Sequence, residues 1–149
     1  GGFEDGNQHF TSNYWSSCFQ GSMPQGSYCI GARTDTYWST WKSCTDRTNP
    51  GFGKMFVTDG AIVADEEIWC QTVSVEQNSD YALSAWITPV LNLNNAVLQF
   101  TINSDTVGKP FSAKPTECEW NEFFEIWNSG LNTSAEICIT NENRASDGN

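Results

Sequence analysis

Flat aromatic rings beside amides and carboxylates are what a protein needs to hold a sugar. The ring covers the CH-rich side of a pyranose and the polar groups take its hydroxyls. The chain carries Trp15, Trp38, Trp41, Trp69, Trp86, Trp120 and Trp127. Within 81–87, Tyr81, Leu83, Ala85 and Ile87 share one parity of an alternating strand, and Trp86 falls on the other. Its indole is therefore expected on the sheet face turned away from the core, shared with Gln99. A second aromatic group, Tyr37, Trp38 and Trp41, lies in a polar loop with few aliphatics around it. It reads either as a ligand-touching set or as a small core beneath the loops, closed by Cys29 and Cys44. Trp69 shares its parity with Val73 and Val75 and reads as core, while Trp120 and Trp127 read as packing residues.

Catalytic chemistry finds less support in the residues. His9 is the one histidine and has no serine or cysteine context for a triad. Glycoside hydrolysis needs two carboxylates at a defined separation across a cleft. Glu66-Glu67 and the series Glu117, Glu119, Glu122, Glu125 are consecutive or alternating in one segment, which is the pattern of a solvated edge. No glycine-rich phosphate loop or metal-hydrolase motif occurs. The expectation is a protein that binds and is not an enzyme.

Composition narrows the partner. There are 18 acidic against 7 basic residues, a formal net charge of -11. This opposes the basic footprint that nucleic acid requires and disfavours an anionic membrane surface. A neutral glycan, or a cation such as calcium, suits the charge. No apolar run approaches the roughly 20 residues of a membrane span, so membrane insertion is not expected. The opening residues lack the basic-then-apolar pattern of a signal peptide, and a mature secreted chain is expected.

The cysteines Cys18, Cys29, Cys44, Cys70, Cys118 and Cys138 are scattered, with no C-x-x-C pair. Such scatter favours disulfides formed in an oxidising compartment over zinc or redox chemistry, hence a secreted, extracellular or cell-surface protein. Sequence leaves the pairing open. The preferred pattern has one bond within Cys18, Cys29 and Cys44, one within Cys70, Cys118 and Cys138, and one cross-link between the two groups.

These residues must be positioned by strands. Residues 1–50 read as long loops with one short strand candidate at 26–32. Further candidates follow at 54–58, 68–75, 81–88, 96–102, 119–127 and 135–140, separated by turn signals such as Asn103-Ser104-Asp105 and Asn128-Ser129-Gly130. Trp120, Phe123, Phe124 and Trp127 imitate a helical period, but their aromatic content and the turn after them favour a strand. The fold class expected is all-β: an antiparallel β-sandwich, disulfide-stabilised, with long N-terminal loops, forming one domain over 1–149.

In one order the chain carries Gly2-Phe3-Glu4-Asp5-Gly6, Gly26-Ser27-Tyr28-Cys29-Ile30-Gly31, Gly51 to Gly60, Ile68-Trp69-Cys70-Gln71-Thr72-Val73, Asn78 to Trp86, Leu98 to Asn103, Trp120-Asn121-Glu122-Phe123 and Ala135 to Asn141. This ordered set resembles the galactose-binding-like jelly roll of carbohydrate-binding modules, in the version found in large secreted surface proteins of Bacteroidetes-type bacteria. The resemblance implies non-catalytic recognition of a polysaccharide or glycan by aromatic stacking, with Tyr37, Trp38, Trp41, Trp86 and Gln99 as the contact candidates. It also implies a structural calcium ion, to which Glu4, Asp35 and Asp147 would contribute. The family pattern continues beyond Asn141 into a last strand with paired acidic residues, so the domain is expected to lack that strand. The alternative function is therefore a structural or adhesive module of a surface assembly, joining neighbouring subunits by strand addition or end-to-end packing.

Overall fold

The computed structural model describes residues 2–93 and 95–143. Its strands are β1 (Trp15–Ser16), β2 (Ser27–Gly31), β3 (Met55–Asp59), β4 (Glu66–Ser74), β5 (Asp80–Ile87), β6 (Val97–Ile102), β7 (Asp105–Ser112), β8 (Asn121–Asn128) and β9 (Ser134–Asn141). A 3-10 turn at Thr34–Thr36 is the one helical element among the described residues. One sheet has the order β1-β2-β3, a second β4-β9-β6-β7, and β5 pairs with β8 in a two-stranded ribbon. All pairings are antiparallel except β1 with β2. The antiparallel β-sandwich expected from the strand spacing is the fold that forms.

The strands read from alternation all form, and β1 and β7 are added to them. β7 escapes a periodic reading because Gly108 and Pro110 interrupt it. Its ladder with β6 is irregular: Phe100 faces Val107, yet Leu98 faces Phe111, so a step of two residues on β6 spans four on β7. Gly108 takes the left-handed region at φ 69. A Cβ there would lie 2.8 Å from Glu125 Oε1, which suits glycine on both counts. The amide of Gln99 holds this bulge. Its Nε2 donates to the Phe100 carbonyl at 2.8 Å and to the Val107 carbonyl at 3.2 Å, and the side chain is buried. The β6–β7 hairpin turns at Asn103 and Ser104, both at positive φ, as a tight hairpin with the right-handed strand twist requires.

The reading of Trp69 as core is corrected by its partial exposure next to a bulge. The β4 register jumps from Glu67 opposite Thr140 to Trp69 opposite Ile139, leaving Ile68 as the extra residue. Ile68 enters the main core, whereas Trp69 is only half-buried. Trp69 and Val73 follow the bulge on one regular ladder, opposite Ile139 and Ala135; Val73 and Val75 pack against a buried cluster, whereas Trp69 at the edge of the bulge does not.

The main core joins the layers. Leu98 and Phe100 of β6, Phe123 of β8, Tyr28 of β2, Ile68 and Tyr14 form one buried cluster, with Leu83, Ala85 and Ile87 of β5 packed against it. At its centre the rings of Phe100 and Phe123 stack at 3.7 Å with 7° between their planes, and Phe111 meets Phe123 edge-on. A second cluster, Met23, Cys29, Tyr37, Trp41, Met55 and Val57, lies under the N-terminal loops, with Trp120 packed against it. Trp127 packs against a third, made of Ile102, Val107 and Ala135.

Disulfides pin the loops to the strands. Cys18 pairs with Cys29, Cys70 with Cys138 and Cys44 with Cys118. This is one bond within each group and one between them, the pattern preferred from the sequence. Cys44–Cys118 spans 74 residues and ties the loop region to the approach of β8.

Buried polar groups gather where β3 ends. The Tyr14 hydroxyl accepts from the Ala61 amide at 2.8 Å and from Asn141 Nδ2 at 3.4 Å. Burial pushes the Asp59 carboxyl up to about 6, against a hydrogen bond from the Gly60 amide that favours the ionised form. A folded value above the ordinary carboxylate value of about 3.9 means that the folded state holds this proton more tightly than the unfolded chain. The associated stability is complete below about pH 4 and is lost as pH rises through about 6.

Both the central stack and the buried carboxyl can be tested by substitution. Phe123→Ala should lower unfolding stability by about 3–5 kcal/mol in a denaturant titration, while Phe124→Ala, whose side chain lies outside the core, should change it by less than about 1 kcal/mol. In thermal unfolding followed across pH, Asp59→Asn should melt above the parent chain at pH 8 and converge with it below pH 4; identical pH profiles would show that this carboxyl is not desolvated.

Candidate functional site

The ribbon sorts its side chains by parity. Tyr81, Leu83, Ala85 and Ile87 lie opposite Trp127, Glu125, Phe123 and Asn121, on the side that packs inward. Ala82, Ser84 and Trp86 lie opposite Ile126, Phe124 and Glu122, on the outer side. Trp86 is 38% exposed, Phe124 54% and Ile126 56%. Trp86 and Phe124 are diagonal neighbours across the pair, within reach for large rings. The outer face thus presents an aromatic and aliphatic surface with Glu122 beside Trp86.

Trp86 is also held from above. The guanidinium carbon of Arg47 sits 3.9 Å from the indole centroid, a cation–π contact. The loop around Arg47 explains the placement. The Asp46 carboxylate accepts from the Thr48 amide and hydroxyl, each at 2.7 Å, and from the Asn49 amide at 2.6 Å. Partial burial would raise this carboxyl, but those hydrogen bonds outweigh it and hold it below its ordinary value. The same side chain rests on Gly53, where a Cβ would come within 2.9 Å of it. Arg47 is therefore carried on a loop fixed by Asp46 and caps the indole.

Beside this face runs an open groove of about 500 Å³ between β7 and β8, bordered by Lys109, Phe111, Glu122, Phe124 and Glu125. The β7 bulge held by Gln99 shapes one wall, since it sets Gly108 against the Glu125 side chain. Glu122 and Phe124 border the groove from the outer face of β8, while Glu125 borders it from the inner parity beside Gly108. An aromatic ring next to hydrogen-bonding groups can stack a flat apolar ligand face and take its hydroxyls.

The other nominated residues are placed differently. Gln99 does not share a face with Trp86: it belongs to β6 and spends its amide inside the bulge. Period-two counting fails for it because the sheet face at that point is closed by the irregular β7. Tyr37 and Trp41 are buried, at 7% exposure each, in the cluster beneath the loops. Gly31 explains the Tyr37 contact, since a Cβ there would collide with the phenol. The small-core alternative is thus the one that forms for these two, while Trp38 stays 41% exposed. Sequence reasoning misses Phe124, Ile126, Arg47 and Lys109. Phe124 and Ile126 share the parity of Glu122, which is the signal that could have found them.

Of the residues nominated for calcium, Glu4 Oε1 accepts from the Lys54 amide at 3.0 Å, and the Glu4 carbonyl accepts from Lys54 Nζ at 2.9 Å. Asp35 is paired with Arg33 at 2.6 Å, and this hydrogen bond lowers its pKa. Asp147 lies outside the described residues. The one cluster of three potential metal-ligating side chains among the described residues is Glu67, Cys70 and Cys138, and its two cysteines are disulfide-bonded. Calcium takes about six to eight oxygens, and of the nominated ligands Glu4 and Asp35 are each hydrogen-bonded to a cationic residue of the chain.

No protein-family model matches the chain, and no curated protein does. Among solved structures it is similar to a family 35 carbohydrate binding module from an environmental isolate, with a TM-score of 0.51 and 14% sequence identity. The superposition covers 88% of this chain and 84% of that one. At that identity the likeness is one of fold: the chain has the β-sandwich architecture of a carbohydrate-binding module.

Proposed function

We propose that the protein is a non-catalytic, extracellular carbohydrate-binding module that takes a polysaccharide or glycan along the outer face of the β5–β8 ribbon. The observation that carries this reading is the exposed diagonal pair Trp86 and Phe124 on a two-stranded platform packed against the core. An aromatic pair on paired strands is pre-organised, so little conformational entropy is lost when a sugar stacks on it. Glu122 and Glu125 would accept from hydroxyls and Lys109 would donate to them across the adjoining groove. Fold likeness to a carbohydrate-binding module supports the ligand class. Three disulfides support an oxidising, extracellular setting. No helix among the described residues is long and apolar enough to cross a membrane.

Glu122 and Glu125, the two carboxylates of the groove, do not form a hydrolytic pair. Glu122 and Glu125 have opposite parity on β8, and Glu125 is turned toward Gly108 rather than facing Glu122 across a cleft. His9 is exposed, in the N-terminal segment. Binding, rather than turnover, is what this arrangement offers.

A glycan array followed by isothermal titration of the best polysaccharide tests the reading. Trp86→Ala and Phe124→Ala should each weaken binding by about tenfold or more, with the fold intact by circular dichroism. Retained affinity in both variants would rule this face out. If no glycan binds while the protein sediments as an oligomer that Phe124→Ala dissociates, the face is a subunit interface, and the structural or adhesive role takes its place. For a neutral glycan the affinity should also change by less than about twofold between roughly 50 and 500 mM NaCl, because no long-range charge attraction is being screened.

A further inference from the structure

A second cavity, of about 210 Å³, lies where β1, the loop after β3 and the start of β4 meet. Its lining includes Asn13, Tyr14, Trp15, Ile62, Val63 and Glu66. Three of these are large apolar side chains standing in solvent: Trp15 is 60% exposed, Ile62 65% and Val63 53%. The walls that carry them are tied together. The Trp15 amide donates to the Gly26 carbonyl at 3.2 Å and the Ser17 amide to the Tyr28 carbonyl at 2.8 Å, which fixes β1 on β2. The buried Tyr14 hydroxyl ties that strand to the far wall through the Ala61 amide. The Asn13 amide donates to the Glu67 carbonyl at 2.9 Å, and Glu66 stands opposite Asn141 in the β4–β9 register.

We propose that this cavity is a second saccharide subsite, which takes a single neutral pyranose ring with its apolar face on Trp15 and a hydroxyl donating to the Glu66 carboxylate. The ligand class rests on the carbohydrate-binding reading above, but none of the residues do. The volume lies below the roughly 300 Å³ at which drug-sized pockets begin, which suits the seating of one ring. Charge selects it further. The lining holds a carboxylate and no lysine or arginine, so an anionic sugar would be repelled, while a neutral polyol offers the donors that a carboxylate wants. Ile62 and Val63 widen the apolar contact, and the Asn13 side chain supplies an amide at the rim. The two sites would then divide the work, the ribbon face lying along a chain and this cavity gripping one terminal or branching residue.

The test is an amide-shift titration of the isotopically labelled, disulfide-intact protein with the methyl pyranosides of glucose, galactose and mannose. It is run on the parent chain and on Trp15→Ala, Glu66→Gln and Leu131→Ala. With at least one of these sugars, shifts are expected at the Trp15 indole and at the amides of Asn13, Ala61 and Ile62. Affinity read at those cavity amides should fall about fivefold or more in Trp15→Ala and Glu66→Gln and stay unchanged in Leu131→Ala, an exposed position outside both sites. Glu66→Gln retains the side-chain shape, so it keeps the test decisive if Trp15→Ala unfolds. Shifts confined to the Trp86 and Phe124 region would overturn the second subsite and leave the ribbon-face reading standing. Shifts confined to the cavity would do the reverse, and a spectrum unmoved by all three sugars and by the polysaccharide overturns both.

Discussion

The stack of Phe100 on Phe123 is the contact on which the sandwich depends. One ring belongs to the four-stranded sheet and the other to the β5–β8 ribbon, and the two lie nearly parallel at 3.7 Å. A two-stranded hairpin-like pair is at best marginally stable alone in water. The ribbon persists because its inner face, through Phe123, Leu83, Ala85 and Ile87, is buried against that sheet. Once one face is committed to the core, period-two geometry commits the other to solvent. The exposure of Trp86, Phe124 and Ile126 is thus a direct consequence of where Phe123 is packed.

The N-terminal loops solve a different problem. A long stretch with few aliphatics cannot build a sheet core, so it buries Tyr37 and Trp41 with Met23, Met55 and Val57 in a cluster of its own and is held there by Cys18–Cys29 and Cys44–Cys118. Cross-links that close long loops remove entropy from the unfolded chain and compensate for a thin core. What the loops give back to the site is Arg47, delivered over Trp86 by the Asp46 turn.

Much of the fold was legible in advance because alternation and turn chemistry are local. The β5 and β8 strands, the turn at Asn103 and Ser104, and the outward parity of Trp86 follow from residue order alone. The disulfide pattern was half legible, as a preference from sequence grouping that geometry then met. Bulges defeated the rest. The bulge put Ile68 into the core and left Trp69 half-buried beside it, and the interruption of β7 at Gly108 and Pro110 both hid a strand and drew Gln99 inside. An extra residue in a ladder reverses the facing of the residues after it, and nothing in a short-range pattern announces it.

The sequence by itself determined the class of protein: acidic, cysteine-paired, all-β and rich in indoles. Tertiary structure alone decided which rings were free to stack. Tyr37 and Trp41 looked as available in their polar loop as Trp86 did on its strand, yet they became core, because burial of a ring depends on which distant strands arrive beside it. Met55, Val57 and Cys29 arrive beside Tyr37 and Trp41, whereas Arg47 arrives over Trp86 and leaves it partly open. Trp15 was likewise one tryptophan among seven until the loop after β3 brought Ile62 and Val63 to the same cavity. Side-chain identity fixes what a ring can do, and long-range packing fixes whether solvent can reach it.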